Sequence, residues 1–189
     1  ELEENGSIFN STSDTEVLGH LIKRETGRFV DRICKSLEKI DGAFAFVILV
    51  EDALYVARDR YGLRPLSMGR LPSGGYMFSS ETCALDIAGA EFVRDVEPGE
   101  IIRVKDGIIK SKKYTETLPI CNKLCAMEYI YFSRPDSNLD GINVHTARKN
   151  CGKTLFEEAP VEADLVIGVP DSSISAAIGY SEASGIPYE

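Results

Sequence analysis

The chain has 189 residues, 43% of them hydrophobic, and a formal net charge of −9. This length suits one domain or two small ones, and the acidic balance with scattered Lys and Arg argues against a nucleic-acid surface or an anionic membrane as a partner. There is no apolar run of membrane-spanning length and no signal-peptide pattern at the front, so we expect a cytoplasmic protein. Its five irregularly spaced cysteines suit reduced thiols or metal ligands better than a set of disulfides.

The first part of the sequence predicts two helices followed by strands. Ser13 to Glu16 form a capping box that starts one helix, and apolar residues at four-residue spacing over 29–37 mark the second. The run 43–50 is almost wholly apolar, which is typical of a central strand covered on both faces. Further strands, with a short helix at 82–88 among them, are predicted at 53–59, 66–71, 76–81, 101–104 and 108–111, the last two joined by a Lys-Asp-Gly turn.

A change of architecture is predicted near residue 122. Residues 115–123 form an irregular segment that contains Pro119, so we place a domain boundary between 122 and 123. After it, residues 125–133 predict a strand and residues 144–159 an amphipathic helix.

The end of the sequence predicts the opening of an α/β domain. An apolar run at 165–169 indicates a buried strand, Asp171-Ser172-Ser173 supplies capping residues for a helix, and Gly185 ends that helix before a second strand at 186–189. One strand, one helix and the start of another strand do not complete such a domain. We therefore expect the chain to be an internal piece of a longer protein.

Two groups of motifs resemble the amidophosphoribosyltransferase family. The first group, which resembles a class II glutamine amidotransferase domain, is STSDTE (11–16), RDRYGLRPL (58–66), FSSE (78–81) and EPGE (97–100). The second group, which resembles the junction and first half of the phosphoribosyltransferase domain, is EYIYFSRPDS (128–137), INVHTARKNCGK (142–153) and VPDSSISAAIGY (169–180). The resemblance implies an α+β part followed by an α/β part: a partial N-terminal-nucleophile (αββα) glutaminase domain over 1–122, then the start of a type I phosphoribosyltransferase domain over 123–189.

The resemblance also implies an enzyme with two linked reactions. Glutamine would be hydrolysed in the first domain, and the ammonia would displace pyrophosphate from phosphoribosyl pyrophosphate in the second, giving 5-phosphoribosylamine for purine biosynthesis. A homo-oligomer, a tetramer, is implied as well, with no nucleic-acid or membrane partner. The family's nucleophilic cysteine and Asn-Gly oxyanion residues would precede Glu1, so we expect this chain alone to be inactive. With both domains incomplete, we also expect exposed apolar surface and unpaired strand edges, and hence aggregation.

Asp14 is the candidate contact for substrate glutamine. By resemblance it matches the family's aspartate that binds the α-ammonium group, and a carboxylate suits that role because it forms a charge-assisted hydrogen bond with a cation. The competing interpretation is an ordinary acidic residue in the first turn of a helix, where the helix dipole favours it.

Asp171, Ser172 and Ser173 are the candidate pyrophosphate loop. They stand where a strand gives way to a helix, and backbone N–H groups at a helix N-terminus bind anions. By resemblance Ser172 would help to hold a magnesium–pyrophosphate group, beside Asp171 and Ser173. A plain helix cap is the alternative, and the two roles are compatible.

Cys125 is the candidate ligand of a 4Fe–4S cluster. It precedes EYIYF where iron–sulphur members of the family carry their first ligand, and thiolates are the usual ligands of such clusters. A small buried side chain is the simpler interpretation. Cys121 and Cys125 also form a CxxxC pattern, but zinc is rejected because no second ligand pair accompanies it.

Two other functions compete with the main one. A class II glutaminase that serves another acceptor is disfavoured by VPDSSISAAIGY, and a non-catalytic phosphoribosyl-pyrophosphate-binding regulator is disfavoured by STSDTE and RDRYGLRPL. Arg58 and Asp59, in the latter motif, are predicted to be structural, through ion pairing or by binding backbone groups.

Overall fold

A computed structural model describes residues 2–189, which divide into two compact units. The first contains the chain up to Gly62 together with Glu97–Asn122, and the second contains Leu63–Val96 together with Lys123–Glu189. Helices and strands occur in both, which confirms the predicted mixture of α and β structure. The units interleave along the sequence, and the domain limits 1–122 and 123–189 stay a prediction.

The first unit packs two helices against an antiparallel sheet. Helices α1 (Thr15–Arg24) and α2 (Phe29–Leu37) share a buried cluster with strand residues such as Tyr55 and Ile101. The sheet has the order β1-β2-β6-β7, formed by β1 (Ala45–Val50), β2 (Ala53–Arg58), β6 (Glu100–Lys105) and β7 (Ile108–Lys113). Positive φ angles at Asp106 and Gly107 suit the hairpin turn predicted at Lys105-Asp106-Gly107 between β6 and β7.

Strand β1 differs from its prediction. It lies at an edge of the four-stranded sheet as described, and Val47 and Leu49 are 55% and 80% exposed. Phe46, Ile48 and Val50 instead pack against the helix-side core. The prediction of a central strand covered on both faces is therefore wrong within residues 2–189. An apolar run shows that both faces of a strand are hydrophobic, but it does not show which segments, if any, cover them.

The second unit begins with a small antiparallel sheet. Strand β3 (Ser67–Arg70) lies between β4 (Tyr76–Ser79) and β5 (Glu91–Asp95), and α3 (Thr82–Ile87) connects β4 to β5. Leu85 of α3 is fully buried and would touch any side chain added at Gly69, so glycine there allows the helix to approach the sheet closely.

The rest of the second unit is mainly helical. A ribbon of β8 (Asn138–Leu139) and β9 (Ile142–Asn143) leads into α4 (Val144–Glu158), and α5 (Ile174–Ser184) packs against α4. A single parallel bridge joins Val166 to Tyr188 on either side of α5, but the described residues form no strand at 165–169 or 186–189, where the sequence predicts two. The predicted burial of 165–169 is wrong, because Leu165, Ile167 and Val169 are 45%, 68% and 72% exposed.

The segment predicted as a strand at 125–133 is helical. A π-helical turn spans Glu128–Phe132, closed by a hydrogen bond from the Ser133 N–H to the Glu128 carbonyl. Ile130 and Tyr131 are more than half exposed. The strand prediction is wrong because a short apolar run does not distinguish a strand from a helical turn by periodicity. Over residues 2–189, no helix combines the length and apolarity needed to cross a membrane.

Candidate functional site

Asp14 occupies the position before α1 but does not cap it. Its side chain makes no hydrogen bond to a helix N–H group; Thr15 Oγ1 donates to Asp14 Oδ1 at 3.5 Å. The carboxylate is exposed and lines an open groove of about 890 Å³ together with Ser11, Thr12 and Ser13. This placement leaves the negative group accessible to a cationic ligand.

The predicted capping box around Ser13 is wrong. Glu16 turns back toward the preceding loop, where its carboxylate accepts hydrogen bonds from Asn10 N at 2.8 Å, Ser11 N at 2.9 Å and Ser11 Oγ at 2.6 Å. These donors, the Ser11 hydroxyl foremost, lower the pKa of Glu16 to about 2. The loop that leads to Asp14 is thus tied to the first turn of α1.

The groove also receives positive side chains. Arg24 and Lys39 line it, as does Glu3. Arg24 Nη2 donates to the carbonyls of Leu2 and Asn5 at 3.1 and 2.7 Å, which holds the first residues of the chain across the end of α1. The groove is therefore lined by side chains of both signs of charge.

Arg58 and Asp59 form a buried structural turn, as predicted. The Asp59 carboxylate accepts from Tyr61 N at 2.9 Å and from Phe44 N at 3.3 Å, and Arg58 Nη2 donates to the Gly62 carbonyl at 2.8 Å. Both charged residues are at most 2% exposed. Their role in the described chain is to bind backbone groups at the end of β2.

Asp171, Ser172 and Ser173 lie together at the start of α5. Ser173 is the residue before the helix, and its hydroxyl donates to the Val169 carbonyl instead of capping an N–H group, so the predicted side-chain cap is wrong. Asp171 is exposed, whereas Ser172 and Ser173 are half-buried beside a cavity of about 240 Å³. Ile174 N donates to the Asp171 carbonyl at 3.3 Å, and no side chain caps the N–H groups that follow it in the first turn of α5, so those groups are left for an anion.

Two glycines and a histidine fix α5 against α4. A Cβ at Gly152 would lie 1.8 Å from the Ala176 carbonyl oxygen, and one at Gly179 would lie 1.9 Å from the Lys149 carbonyl oxygen. His145 Nδ1 lies 2.9 Å from Ser175 Oγ, in the first turn of α5. The backbones of the two helices are therefore in direct contact, and this contact positions the loop at 171–173.

Cys125 and Ser172 are the predicted metal ligands. Cys125 is half-buried and its N–H donates to the Leu63 carbonyl at 3.4 Å; Cys121 is exposed. Residues 2–189 contain no group of three or more His, Cys, Asp or Glu side chains placed to hold a metal ion. A 4Fe–4S cluster takes four thiolates and magnesium takes several oxygens, so neither set is complete here. Cys125 as a cluster ligand and Ser172 as a magnesium ligand stay predictions.

Three buried or half-buried carboxylates in the second unit were not predicted as functional. Glu128 is 5% exposed and accepts from Arg64 Nη1 at 3.3 Å and from Ser133 Oγ at 3.1 Å. Glu81 and Asp95 bind backbone N–H groups that are 53 and 45 residues away in sequence. Glu81 lies within the motif FSSE and Glu128 begins EYIYFSRPDS, but contacts at such sequence separations leave no local pattern that would reveal them.

Comparisons with known proteins find one family model that matches the first part of the chain and relatives that match all of it. Residues 1–86 match a family model described as a glutamine amidotransferase domain. The chain is 58% identical over 191 residues to an amidophosphoribosyltransferase of Bacillus subtilis and 52% identical over 189 residues to one of Staphylococcus aureus. Each alignment covers 100% of this chain but only 39% and 38% of the relative. The chain thus spans about two-fifths of the length of these relatives.

A solved structure gives the same result. The B. subtilis glutamine phosphoribosylpyrophosphate amidotransferase, complexed with ADP and GMP, superimposes with a TM-score of 0.95 at 57% identity. The superposition covers 100% of this chain and 41% of that one. A second solved chain, described as the allosteric regulatory enzyme of purine biosynthesis, gives a TM-score of 0.94.

Proposed function

Because this chain belongs to the amidophosphoribosyltransferase family, we propose that it is part of an enzyme that hydrolyses glutamine and transfers the ammonia to phosphoribosyl pyrophosphate. The products are 5-phosphoribosylamine, glutamate and pyrophosphate. The observation that carries the proposal is the similarity over all 189 residues, which joins a glutamine amidotransferase match at 1–86 to the loop at 171–173 in one chain. A glutaminase that serves another acceptor would not require that second part.

The proposed division of labour places glutamine in the first domain and phosphoribosyl pyrophosphate in the second. We assign 1–122 to the glutaminase and 123–189 to the start of a type I phosphoribosyltransferase domain. Support for the second assignment comes from the parallel bridge between Val166 and Tyr188, since parallel strands joined by a helix are typical of α/β domains. The enzyme is proposed to be a cytoplasmic homo-tetramer.

Asp14 is proposed to bind the α-ammonium group of glutamine. Its carboxylate is exposed in the groove beside α1 and is not used as a helix cap. A charge-assisted hydrogen bond there would hold the substrate in one orientation relative to the attacking nucleophile. Arg24, on the same groove, would favour the substrate's carboxylate by its charge, whereas Lys39 is already ion-paired with Glu25 at 2.5 Å.

The loop Asp171–Ser173 is proposed to bind pyrophosphate. The N–H groups that follow Ile174 in the first turn of α5 and the Ser172 hydroxyl are donors suited to phosphate oxygens, whereas the Ser173 hydroxyl already donates to the Val169 carbonyl. Magnesium, when bound, would neutralise charge on the phosphates, and Ser172 is the residue proposed to meet it.

The decisive experiment separates the two half-reactions in the full-length protein. We expect pyrophosphate release from phosphoribosyl pyrophosphate with either glutamine or ammonia as the nitrogen donor. In Asp14→Asn, KM for glutamine should rise roughly 10- to 100-fold, the loss expected for one hydrogen bond between charged groups, while the ammonia-dependent reaction stays unchanged.

The matched control is Asp164→Asn, which removes an exposed aspartate outside the groove and should leave both reactions unchanged. Absence of pyrophosphate release with either donor would overturn the proposed function. An equal loss of both activities in Asp14→Asn would overturn the role given to Asp14.

A further inference from the structure

A carboxylate before α3 holds the segment that leads into α4. Glu81 Oε2 accepts hydrogen bonds from Arg134 N at 2.7 Å and from Ser137 Oγ at 2.8 Å. The next residue, Thr82, accepts from Asn138 N through its hydroxyl at 2.8 Å. Ser137 is fully buried, so its hydroxyl would lose a partner without access to water if Glu81 were removed.

The same segment supports the first turn of α4. The Ser137 carbonyl accepts from Val144 N at 2.9 Å, and the Pro135 carbonyl accepts from His145 N at 2.9 Å. Asn143 then caps the helix, because its Oδ1 accepts from Thr146 N at 3.0 Å. Backbone groups that α4 cannot satisfy internally are thus bound by residues that Glu81 holds in place.

His145 connects helix α4 to helix α5 by a side-chain hydrogen bond. Its Nδ1 contacts Ser175 Oγ at 2.9 Å, and Ser175 is 4% exposed. Ser175 lies two residues after Ser173, so this bond fixes the first turn of α5 directly beside the loop. The close contacts at Gly152 and Gly179 leave the helices little room to shift and compensate.

We propose that Glu81 is a positioning residue for the pyrophosphate loop Asp171–Ser173, acting through Arg134 to Ser137, the start of α4, and the His145–Ser175 hydrogen bond. The inference rests on the proposed function of that loop. Glu81 lies within the stretch matched to the glutamine amidotransferase domain, whereas the loop belongs to the proposed transferase. The glutaminase sequence therefore contributes to the geometry at which phosphoribosyl pyrophosphate binds.

The role of Glu81 predicts a change in substrate binding without a change in chemistry. In the full-length protein, with ammonia as the nitrogen donor, Glu81→Ala should raise KM for phosphoribosyl pyrophosphate about tenfold and change kcat less than about twofold. Glu81→Gln keeps a carbonyl acceptor and should restore KM to within about threefold of wild type. Amide exchange over 171–175 should be faster in Glu81→Ala than in wild type.

Two further variants keep the proposal testable. Asp86→Ala removes an exposed carboxylate from the same helix, α3, and should leave KM unchanged. Ser175→Ala removes only the last link and should raise KM as Glu81→Ala does, even if the latter folds poorly. Unchanged KM in folded Ser175→Ala, or unchanged exchange over 171–175 in Glu81→Ala, would overturn the proposal. A wild-type protein without transferase activity would overturn the proposed function instead, and the exchange comparison would still test the hydrogen-bond chain.

Discussion

Replacing Gly152 by alanine should loosen the pairing of α4 with α5. The added methyl carbon would lie 1.8 Å from the carbonyl oxygen of Ala176, where an ordinary contact is about 3.5 Å. The nearest atoms belong to the backbone, so no side-chain rotation relieves the overlap and the helices must separate. Overpacking of this kind costs up to about 3 kcal/mol, and the better helix propensity of alanine returns about 1 kcal/mol. The net loss is about 2 kcal/mol.

Amide hydrogen exchange in the full-length protein measures this loss locally. A change of about 2 kcal/mol corresponds to roughly thirtyfold faster exchange of the α4 and α5 amides. Gly179→Ala, with its methyl carbon 1.9 Å from the Lys149 carbonyl oxygen, should behave alike. The double variant should lose less than the sum, because one separation of the helices relieves both overlaps.

The control is Gly19→Ala in α1, where nothing lies within 4 Å of the added carbon. It should slow exchange in α1 by up to about fivefold, since only helix propensity changes. If amide hydrogen exchange in α4 and α5 is as slow in Gly152→Ala as in wild type, the reasoning is refuted. The helices would then separate at little cost, and the tight packing would not position the loop at 171–173.

Two predictions concern proton binding. Because the hydrogen bonds from Ser11 and Asn10 lower the pKa of Glu16 to about 2, from 4.5, its contribution to stability is present above about pH 4.5 and is lost as the pH falls toward 2. An NMR titration should give that midpoint and Ser11→Ala should raise it; a midpoint near 4.5 in the wild type would contradict the geometry. Burial raises the pKa of Tyr114 from 10.0 to about 12, so its contribution holds below pH 10 and is lost as the pH rises through 12. Ultraviolet titration of wild type against Tyr114→Phe should show that step near pH 12, and ionisation near pH 10 would count against burial of the phenol.

The sequence predicted the regular elements well where periodicity and turn chemistry agreed. The amphipathic helices α1 and α2 and the Asp-Gly hairpin between β6 and β7 are examples. It failed at 125–133, where seven apolar or aromatic residues suit a strand and a helical turn equally. It also failed for β1, since the cover over a strand is set by chain segments distant in sequence.

The candidate sites were predictable only in part, for a related reason. Asp14 and Ser172 stand out through local motifs, and the structure places both on cavities. Glu81 is different, because its meaning depends on Arg134 and Ser137, more than 50 residues away. Its partners are one backbone N–H group and one hydroxyl, and neither composition nor local spacing reveals such a pairing. Long-range polar contacts of this kind become visible only when the fold is known.

The interleaving of the two compact units has a consequence for gene fusion. Residue 122 is the predicted domain boundary and would be an obvious site for recombination, yet residues 63–96 belong to the same unit as 123–189. A chimera that joined 1–122 to a foreign second half would inherit Glu81 and Asp95 without the N–H groups they bind at Arg134 and Asp140. A chimera would therefore keep this hydrogen-bond network only when both of its sides are inherited together.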